Sequence, residues 1–229
     1  MPSELRIIAV GGLPEVVAGA DIGALIADAT DVQPGDVVVI AQKIVSKAEG
    51  RIVSAETRDD ARAIAKREAR RIVRETQDHL IVETHHGFVC ANAGVDMSNV
   101  AEGTAALLPR DPDASADRIR TTLEERFGTP IAVIVSDTFG RAWRIGHANV
   151  AIGSSGIRAL RTYEGQVDPA GRELVITQIA QIDELASAAE LVQDKLDCVP
   201  VAIVRGYGWE PSEGRATDLV RPPEQDLFR

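Results

Sequence analysis

Short runs of β-branched residues, each closed by Gly, Pro or Asp, restrict this chain more than any other feature. Val37-Val38-Val39-Ile40 is the clearest, and comparable runs cover 6–10, 36–40, 80–83, 130–135, 150–153 and 199–204. Segments this short and this rich in Val and Ile are expected as buried strands. Apolar residues at helical spacing lie between them. The stretch 54–76 opens on Thr57-Arg58-Asp59-Asp60, similar to a capping box, and as a helix would put Ala61, Ile64, Ala65, Ala69, Ile72 and Val73 on one face. Helices are also expected over 113–127, with Ile119, Leu123 and Phe127, and over 177–196, with Ile179, Ile182, Leu185, Ala189 and Val192. The strict alternation of a doubly wound sheet is missing. The expected fold class is therefore α/β in the broad sense (α+β), with mixed sheets and packed helices. No repeat or linker divides the chain, so residues 1–229 are expected to form a single domain, with the Gly/Pro-rich stretch 207–229 as a C-terminal tail or lid.

Composition excludes several function classes. With 25 Lys and Arg against 35 Asp and Glu, the net charge is −10, the wrong sign for a nucleic-acid binder. Only 4 Phe, 2 Trp and 2 Tyr are present, too few for base-stacking platforms. Any anionic ligand must be held by a locally basic site against the overall field. Hydrophobic residues at 45% are sufficient for a core without staples. The apolar runs fall far short of the roughly 20 residues that span a bilayer, and the N-terminus shows no signal-peptide pattern, so no membrane association and a cytoplasmic location are expected. Cys90 and Cys198 have neither disulfide nor zinc spacing and lie in apolar stretches, where buried structural thiols are expected. His85 and His86 lack ligand spacing and are read as structural or surface residues.

The P-loop, the dinucleotide-binding GxGxxG, HExxH and GxSxG are all absent. What remains is polar clusters at the ends of apolar runs. After the strand at 36–40 comes Gln42-Lys43-Ile44-Val45-Ser46-Lys47-Ala48-Glu49-Gly50-Arg51, which reads either as a phosphate-holding segment or as a solvated turn. The stretch from Cys90 to Asn99 combines small residues with Asp96 and Asn99, as a ligand-approach loop or simply a turn would. Ser136-Asp137-Thr138 followed by Arg141 and Arg144 puts a carboxylate, hydroxyls and guanidiniums at a strand end, a set suited to Mg2+ or Mn2+ and phosphate; the alternative is a helix cap. Ile152-Gly153-Ser154-Ser155-Gly156 is either a phosphate nest or a close-packed turn. Asp183 and Glu184 point about 100° apart on their helix, so one could face a site while the other meets water.

These clusters resemble one family. Gly12-Leu13-Pro14-Glu15, Lys43-Ile44-Val45-Ser46-Lys47-Ala48-Glu49-Gly50-Arg51, Asn92-Ala93-Gly94-Val95-Asp96 with Ser98-Asn99, Leu108-Pro109 with Asp111-Pro112-Asp113, and Ser136-Asp137-Thr138-Phe139-Gly140-Arg141 with Trp143-Arg144 are similar to the coenzyme F420-0:L-glutamate ligases, or F420 gamma-glutamyl ligases. Asp183-Glu184 and Val204-Arg205-Gly206 continue the likeness, which runs from about residue 7 to 206. The resemblance implies an intertwined α/β homodimer that binds GTP without a P-loop. It also implies divalent metal, Mg2+ or Mn2+ and two ions in number, with room for K+. L-glutamate and the deazaflavin precursor coenzyme F420-0 would be the other small-molecule substrates. It assigns nucleotide contacts to Leu13, Pro14, Glu15, Val16, Gln42, Lys47 and Asn99, and metal ligation to Asp96, Asp137 and Thr138. Lys47, Asp96 and Asp137 would carry the catalysis. Gln42 departs from the family, where Ser is common. Some relatives carry a further nitroreductase-like domain, for which this chain shows no counterpart.

The implied route is phosphorylation of the precursor's carboxylate by GTP to an acyl phosphate, followed by attack of the glutamate amine, with Arg51, Arg141 and Arg144 lining the site. Further γ-linked glutamates are compatible with the same chemistry. A ligase of the same fold for another carboxylate, or a nucleotide- and metal-binding regulator without turnover, would carry the same site.

Overall fold

The computed structural model describes residues 4–194, 196 and 198–227. It is a mixed α/β protein. Its strands are β1 (Arg6–Val10), β2 (Val37–Ala41), β3 (Ile52–Ser54), β4 (Ala69–Glu75), β5 (Leu80–Thr84), β6 (Val89–Ala91), β7 (Thr104–Ala106), β8 (Ala132–Arg141), β9 (Arg144–Ser155), β10 (Arg161–Thr162), β11 (Gln178–Ile179) and β12 (Val201–Arg205). The helices are α1 (Ile22–Ala29), α2 (Gln42–Ala48), α3 (Arg58–Glu68), α4 (Pro112–Phe127) and α5 (Gln181–Gln193).

The main sheet has the order β1-β12-β2-β8-β9. Within it β2 and β8 pair in parallel, in the register Val37↔Ala132 through Ala41↔Ser136; the other neighbours are antiparallel. Val37 to Ile40 and Ala132 to Val135 are fully buried, because alternate side chains feed two different layers. Val38, Ile40, Val133 and Val135 pack with Ile26, Ile119 and Leu123 from α1 and α4. Val37, Val39, Ala132 and Ile134 pack with Ile182, Leu185, Ala186 and Ala189 from α5. This is why these strands read as unbroken apolar runs. A third cluster, with Ile64, Ala65, Leu80, Val82 and Val95, lies between α3 and the β4-β5-β6 sheet.

Local signals set the helix ends. Asp111 caps α4 by accepting from the Ala114 amide, Pro112 fills its first turn, and Gly128, left-handed at φ 64°, closes it. Thr57 and Asp60 form the expected capping box on α3. The expected helix over 54–76, however, ends at Glu68. Residues 69–75 are β4, paired antiparallel with β5, and Ile72 and Val73 are 44% and 41% exposed instead of lying on a buried helix face. The β-branched pair inside Arg70-Arg71-Ile72-Val73-Arg74 suits a strand, and the β5 backbone supplies the hydrogen bonds. The short helices α1 and α2 lie outside the segments expected to be helical. The run 150–153 is strand as expected, and the glycine-rich stretch 152–156 is the end of β9 with Gly156 following it; a Cβ on Gly153 would collide with the Pro112 carbonyl, which is the close-packed reading.

The C-terminal segment packs onto the sheet layers. Arg205 holds the buried Asp36 in two hydrogen bonds of 2.9 and 2.7 Å. Trp209 donates from Nε1 to the Gly35 carbonyl at 2.8 Å, and Arg215 pairs with Asp117 at 2.6 Å. Asp113 Oδ1 accepts from the amides of Ser154 (2.7 Å) and Ala216 (2.9 Å), joining α4, β9 and this segment. Among the described residues, no helix is long and apolar enough to cross a membrane.

Asp113 yields a test of that junction. Burial raises its carboxyl above the ordinary value against the pull of the two amides. The folded state therefore holds the proton more tightly. The stability linked to this group is full below the unfolded value of about 3.9 and is lost as pH rises through the folded one. Asp113→Asn keeps the accepting oxygen without the charge, so urea melts should show it at least as stable as wild type at pH 7, with the advantage gone at pH 3. Asp113→Ala leaves two buried amides unpaired and should cost about 2–4 kcal/mol.

Candidate functional site

The parallel pairing of β2 and β8 places the carboxyl ends of both strands at one edge of the sheet. At that edge β2 turns straight into α2, with Ala41 as its cap, so the polar segment expected as a turn or phosphate holder is a short helix. On the other strand, β8 does not stop at Ser136. It shifts register between Val135 and Ser136 and runs on to Arg141 as one arm of a hairpin with β9. Such an irregularity re-aims the side chains that follow, here Asp137 and Thr138. Both are half-buried.

Asp96 reaches this edge from β6 through Asn92, Ala93 and Gly94, whose φ values of 52°, 54° and 71° make a tight left-handed turn. Lys43, on the first turn of α2, donates to Asp96 Oδ2 at 2.7 Å, to the Ser98 carbonyl at 2.6 Å and to Ser98 Oγ at 2.9 Å. The Ser98 amide and hydroxyl also donate to the Asp96 carboxylate, each at 2.8 Å. Burial would raise the Asp96 carboxyl, but Lys43 and Ser98 outweigh it and hold it below the ordinary carboxylate range. Asp137 comes in from the neighbouring strand. Burial, with the Asp137 charge adding to it, pushes the thiol of Cys90 on β6 up to about 12, and β6 packs against β8, the strand that carries Asp137. Thr138 Oγ1 bonds Asn149 Oδ1 at 2.6 Å; Asn149, 6% exposed, is invisible in the sequence because nothing marks it before β9 is paired.

The loop before α1 closes the same edge. Lys47, one turn after Lys43, bonds Glu15 at 2.5 Å. Val16 is buried and Leu13 packs on the core, which leaves Pro14 and Glu15 exposed. Gln42 is 3% exposed, and its amide oxygen lies 2.8 Å from the Ser46 hydroxyl, beneath the site surface. Asn99 is exposed with φ 53°, next to Ser98. Arg51 is engaged with the Leu108 carbonyl (3.0 Å) and Glu68 (2.7 Å), and so stabilises the fold. Arg141 closes the hairpin tip on the Ile145 carbonyl. Asp183 faces the other layer, accepting from the Ala151 amide at 2.9 Å, and burial raises its carboxyl; Glu184 is exposed. His86 stacks on Phe88, which meets Phe139 edge-on.

The edge thus brings together the carboxylates of Asp96, Asp137 and Glu15, hydroxyls and two ammonium groups. Among the described residues, no group of three or more His, Cys, Asp or Glu side chains could hold a metal ion. Hard oxygen donors in this small number fit a cation that keeps several waters and takes its other ligands from phosphate, as Mg2+ does in nucleotide sites. They do not fit zinc or a redox metal.

A sequence profile described as F420-0:Gamma-glutamyl ligase matches residues 12–206. The chain is 45% identical to the coenzyme F420:L-glutamate ligase of Methanothermobacter thermautotrophicus, over 98% of this chain and 99% of that protein. It is 41% identical to the enzyme of the same name from Methanocaldococcus jannaschii, over 86% of each chain, and 41% identical to that of Methanopyrus kandleri, over 96% of this chain and all of the other.

The two thiols differ in a measurable way. Cys198 is exposed, not buried as its apolar flanks suggest, because those residues form the loop entering β12. Cys90 is buried, and at a pKa of about 12 only about one part in ten thousand would be thiolate at pH 8. Iodoacetamide on the folded protein at pH 8, followed by intact-mass and peptide analysis, should show one adduct at Cys198; labelling of Cys90 should need denaturant.

Proposed function

The chain belongs to the F420-0:gamma-glutamyl ligase family, and we propose that it joins L-glutamate to coenzyme F420-0 at the β2/β8 edge, with GTP as the phosphoryl donor. The family's enzymes are ligases, and what supports the reading at this site is that Lys43 with Asp96 and Lys47 with Glu15 lie at the edge where β2 ends beside the Ser136-Asp137-Thr138 segment of β8. A carboxylate is a poor acyl donor to an amine. In the proposed route the precursor's carboxylate oxygen attacks the γ-phosphorus of GTP and GDP leaves. The glutamate amine then attacks the acyl carbon of the acyl phosphate, phosphate departs, and the nitrogen gives up a proton.

Apart from Lys43, the groups at the edge each have a part in this route. Asp96, Asp137 and Thr138 would hold the divalent ions, Mg2+ or Mn2+, which when bound offset the charge on the phosphates and polarise the transferring group. Lys47 would exchange Glu15 for phosphate, with backbone of the Leu13–Val16 loop and Asn99 lining the nucleotide. Gln42 would act from below, by fixing Ser46 and the start of α2. A chain of net charge −10 draws polyanions in only where such cations are placed. A homodimer belongs to the same proposal: Trp143 and Ile145, 86% and 100% exposed at the β8–β9 hairpin tip, and Val175 and Ile176 are apolar surface for a second copy to cover.

The direct test is mass spectrometry of coenzyme F420-0 after incubation with the protein, GTP, glutamate and Mn2+. A gain of one or more glutamate residues with release of GDP and phosphate is expected. Turnover only with another acid would leave the fold and change the substrate. Asp96→Asn and Asp137→Asn should melt like wild type without ligand and lose most of the rise that Mn2+ plus GTP produces, since that rise follows binding to the folded state. A sharply lower ligand-free melt that keeps the full rise would make either residue a structural cap. Lys47→Ala should weaken GTP binding by about 1.5–3 kcal/mol, read by titration calorimetry; an unchanged constant would leave Lys47 as the partner of Glu15 alone.

A further inference from the structure

We propose that Lys43 couples metal binding to nucleotide binding: its ammonium opposes entry of a bare divalent cation at Asp96 and gives way when the cation arrives with a polyphosphate. The inference rests on the reading of Asp96 as a metal ligand, and it concerns a residue that reading leaves without a role.

The geometry is specific. The three protons of the ammonium are matched by three acceptors, Asp96 Oδ2, the Ser98 carbonyl and Ser98 Oγ, at 2.7, 2.6 and 2.9 Å. Lys43 is held there at 17% side-chain exposure, by its own helix and by the Ser98 turn. The carboxylate it faces is nearly saturated. Oδ1 accepts from the Ser98 amide, and Oδ2 accepts from both Lys43 and the Ser98 hydroxyl. A cation approaching Oδ2 must expel the ammonium. A cation approaching the open lone pair of Oδ1 would stand a few ångströms from it, where like charges in a half-buried setting repel strongly. In either position Lys43 makes the bare ion bind weakly. A nucleotide changes the balance, because its phosphate oxygens offer the displaced ammonium a new anionic partner next to the metal. Metal and nucleotide then each strengthen the other's binding, and the reciprocity is required by linkage. Lys47, one helical turn further on, is drawn instead to Glu15 in the loop before α1, so the opposition at Asp96 falls to Lys43.

A purely structural Lys43 would tie α2 to the 96–98 turn through its hydrogen bonds, with no effect of charge on metal affinity. Lys43→Gln and Lys43→Arg separate the two roles. Gln is neutral and can still donate to the Ser98 carbonyl; Arg keeps the charge. Mn2+ binding is read by electron paramagnetic resonance on the folded, ligand-free proteins, alone and with GDP. If Lys43 is the coupling cation, the Lys43→Gln variant binds bare Mn2+ about tenfold more tightly than wild type, and the enhancement of Mn2+ affinity by GDP shrinks by a similar factor. The Lys43→Arg variant then stays close to wild type in both. Equal bare-Mn2+ affinity and equal GDP enhancement in both variants and wild type would overturn the proposal. Asp96→Asn in the same assay keeps the two ideas apart. If Asp96→Asn abolishes Mn2+ binding while Lys43→Gln gains nothing, only the coupling role falls. If Asp96→Asn leaves Mn2+ binding with GDP as in wild type, Asp96 is not a ligand and both fall.

Discussion

The parallel contact between β2 and β8 is the constraint on which the rest depends. Two strands far apart in sequence can lie parallel only through a long crossover, and here that crossover carries α2, α3, the β4-β5-β6 sheet and α4. The pairing brings the carboxyl ends of both strands to one edge, so Gln42 begins a helix beside Asp137 in the adjacent strand. Strands buried on both faces cannot slip register without moving apolar side chains into the wrong layer. The position of the site is thereby set by the same Val and Ile side chains that make the core.

Charge is distributed according to that geometry. At the far edge, where β2 starts, Asp36 and Arg205 form a closed two-bond pair with little water around the carboxylate. Such a pair holds β12 to β2, and breaking it would strand a buried charge. At the near edge the pairs are of another kind. Asp96 with Lys43 and Glu15 with Lys47 are partly open to solvent, at 45% and 77% exposure of the acid side chains. Pairs partly open to water lose less when broken than a fully buried one does. In the proposed function they would therefore be exchanged for phosphate and metal without loosening the core. The difference in burial, rather than in residue type, distinguishes the structural ion pair from the exchangeable ones.

Asp113 and Asp183 show the same principle on acids whose motifs resemble those of the site. Each accepts backbone amides of β9, from opposite faces of the sheet, and each is raised by burial. They hold β9 against α4 and α5. That in turn supports Asn149, the partner of Thr138, and the hairpin arm on which Asp137 lies.

By itself the sequence determined the buried strands, the cap of α3, and the polar clusters at strand ends, because burial on both faces, capping boxes and turn residues are local signals. The tertiary structure decided what local signals do not contain. Residues 69–75 have a helical apolar pattern and became β4 because β5 offered a backbone to pair with. Arg51, a site cation by its place in the motif, is engaged by Glu68 and the Leu108 carbonyl, partners that only the folded chain brings near. Cys198, flanked by apolar residues, is held at the surface by the loop before β12. Lys43 and Lys47 are a helical turn apart and indistinguishable as letters; their partners, Asp96 and Glu15, come from opposite directions along the chain. Pairing between distant segments carries a loop-closure cost and a gain in contacts that no window of sequence contains, and for that reason the site's geometry belongs to the fold.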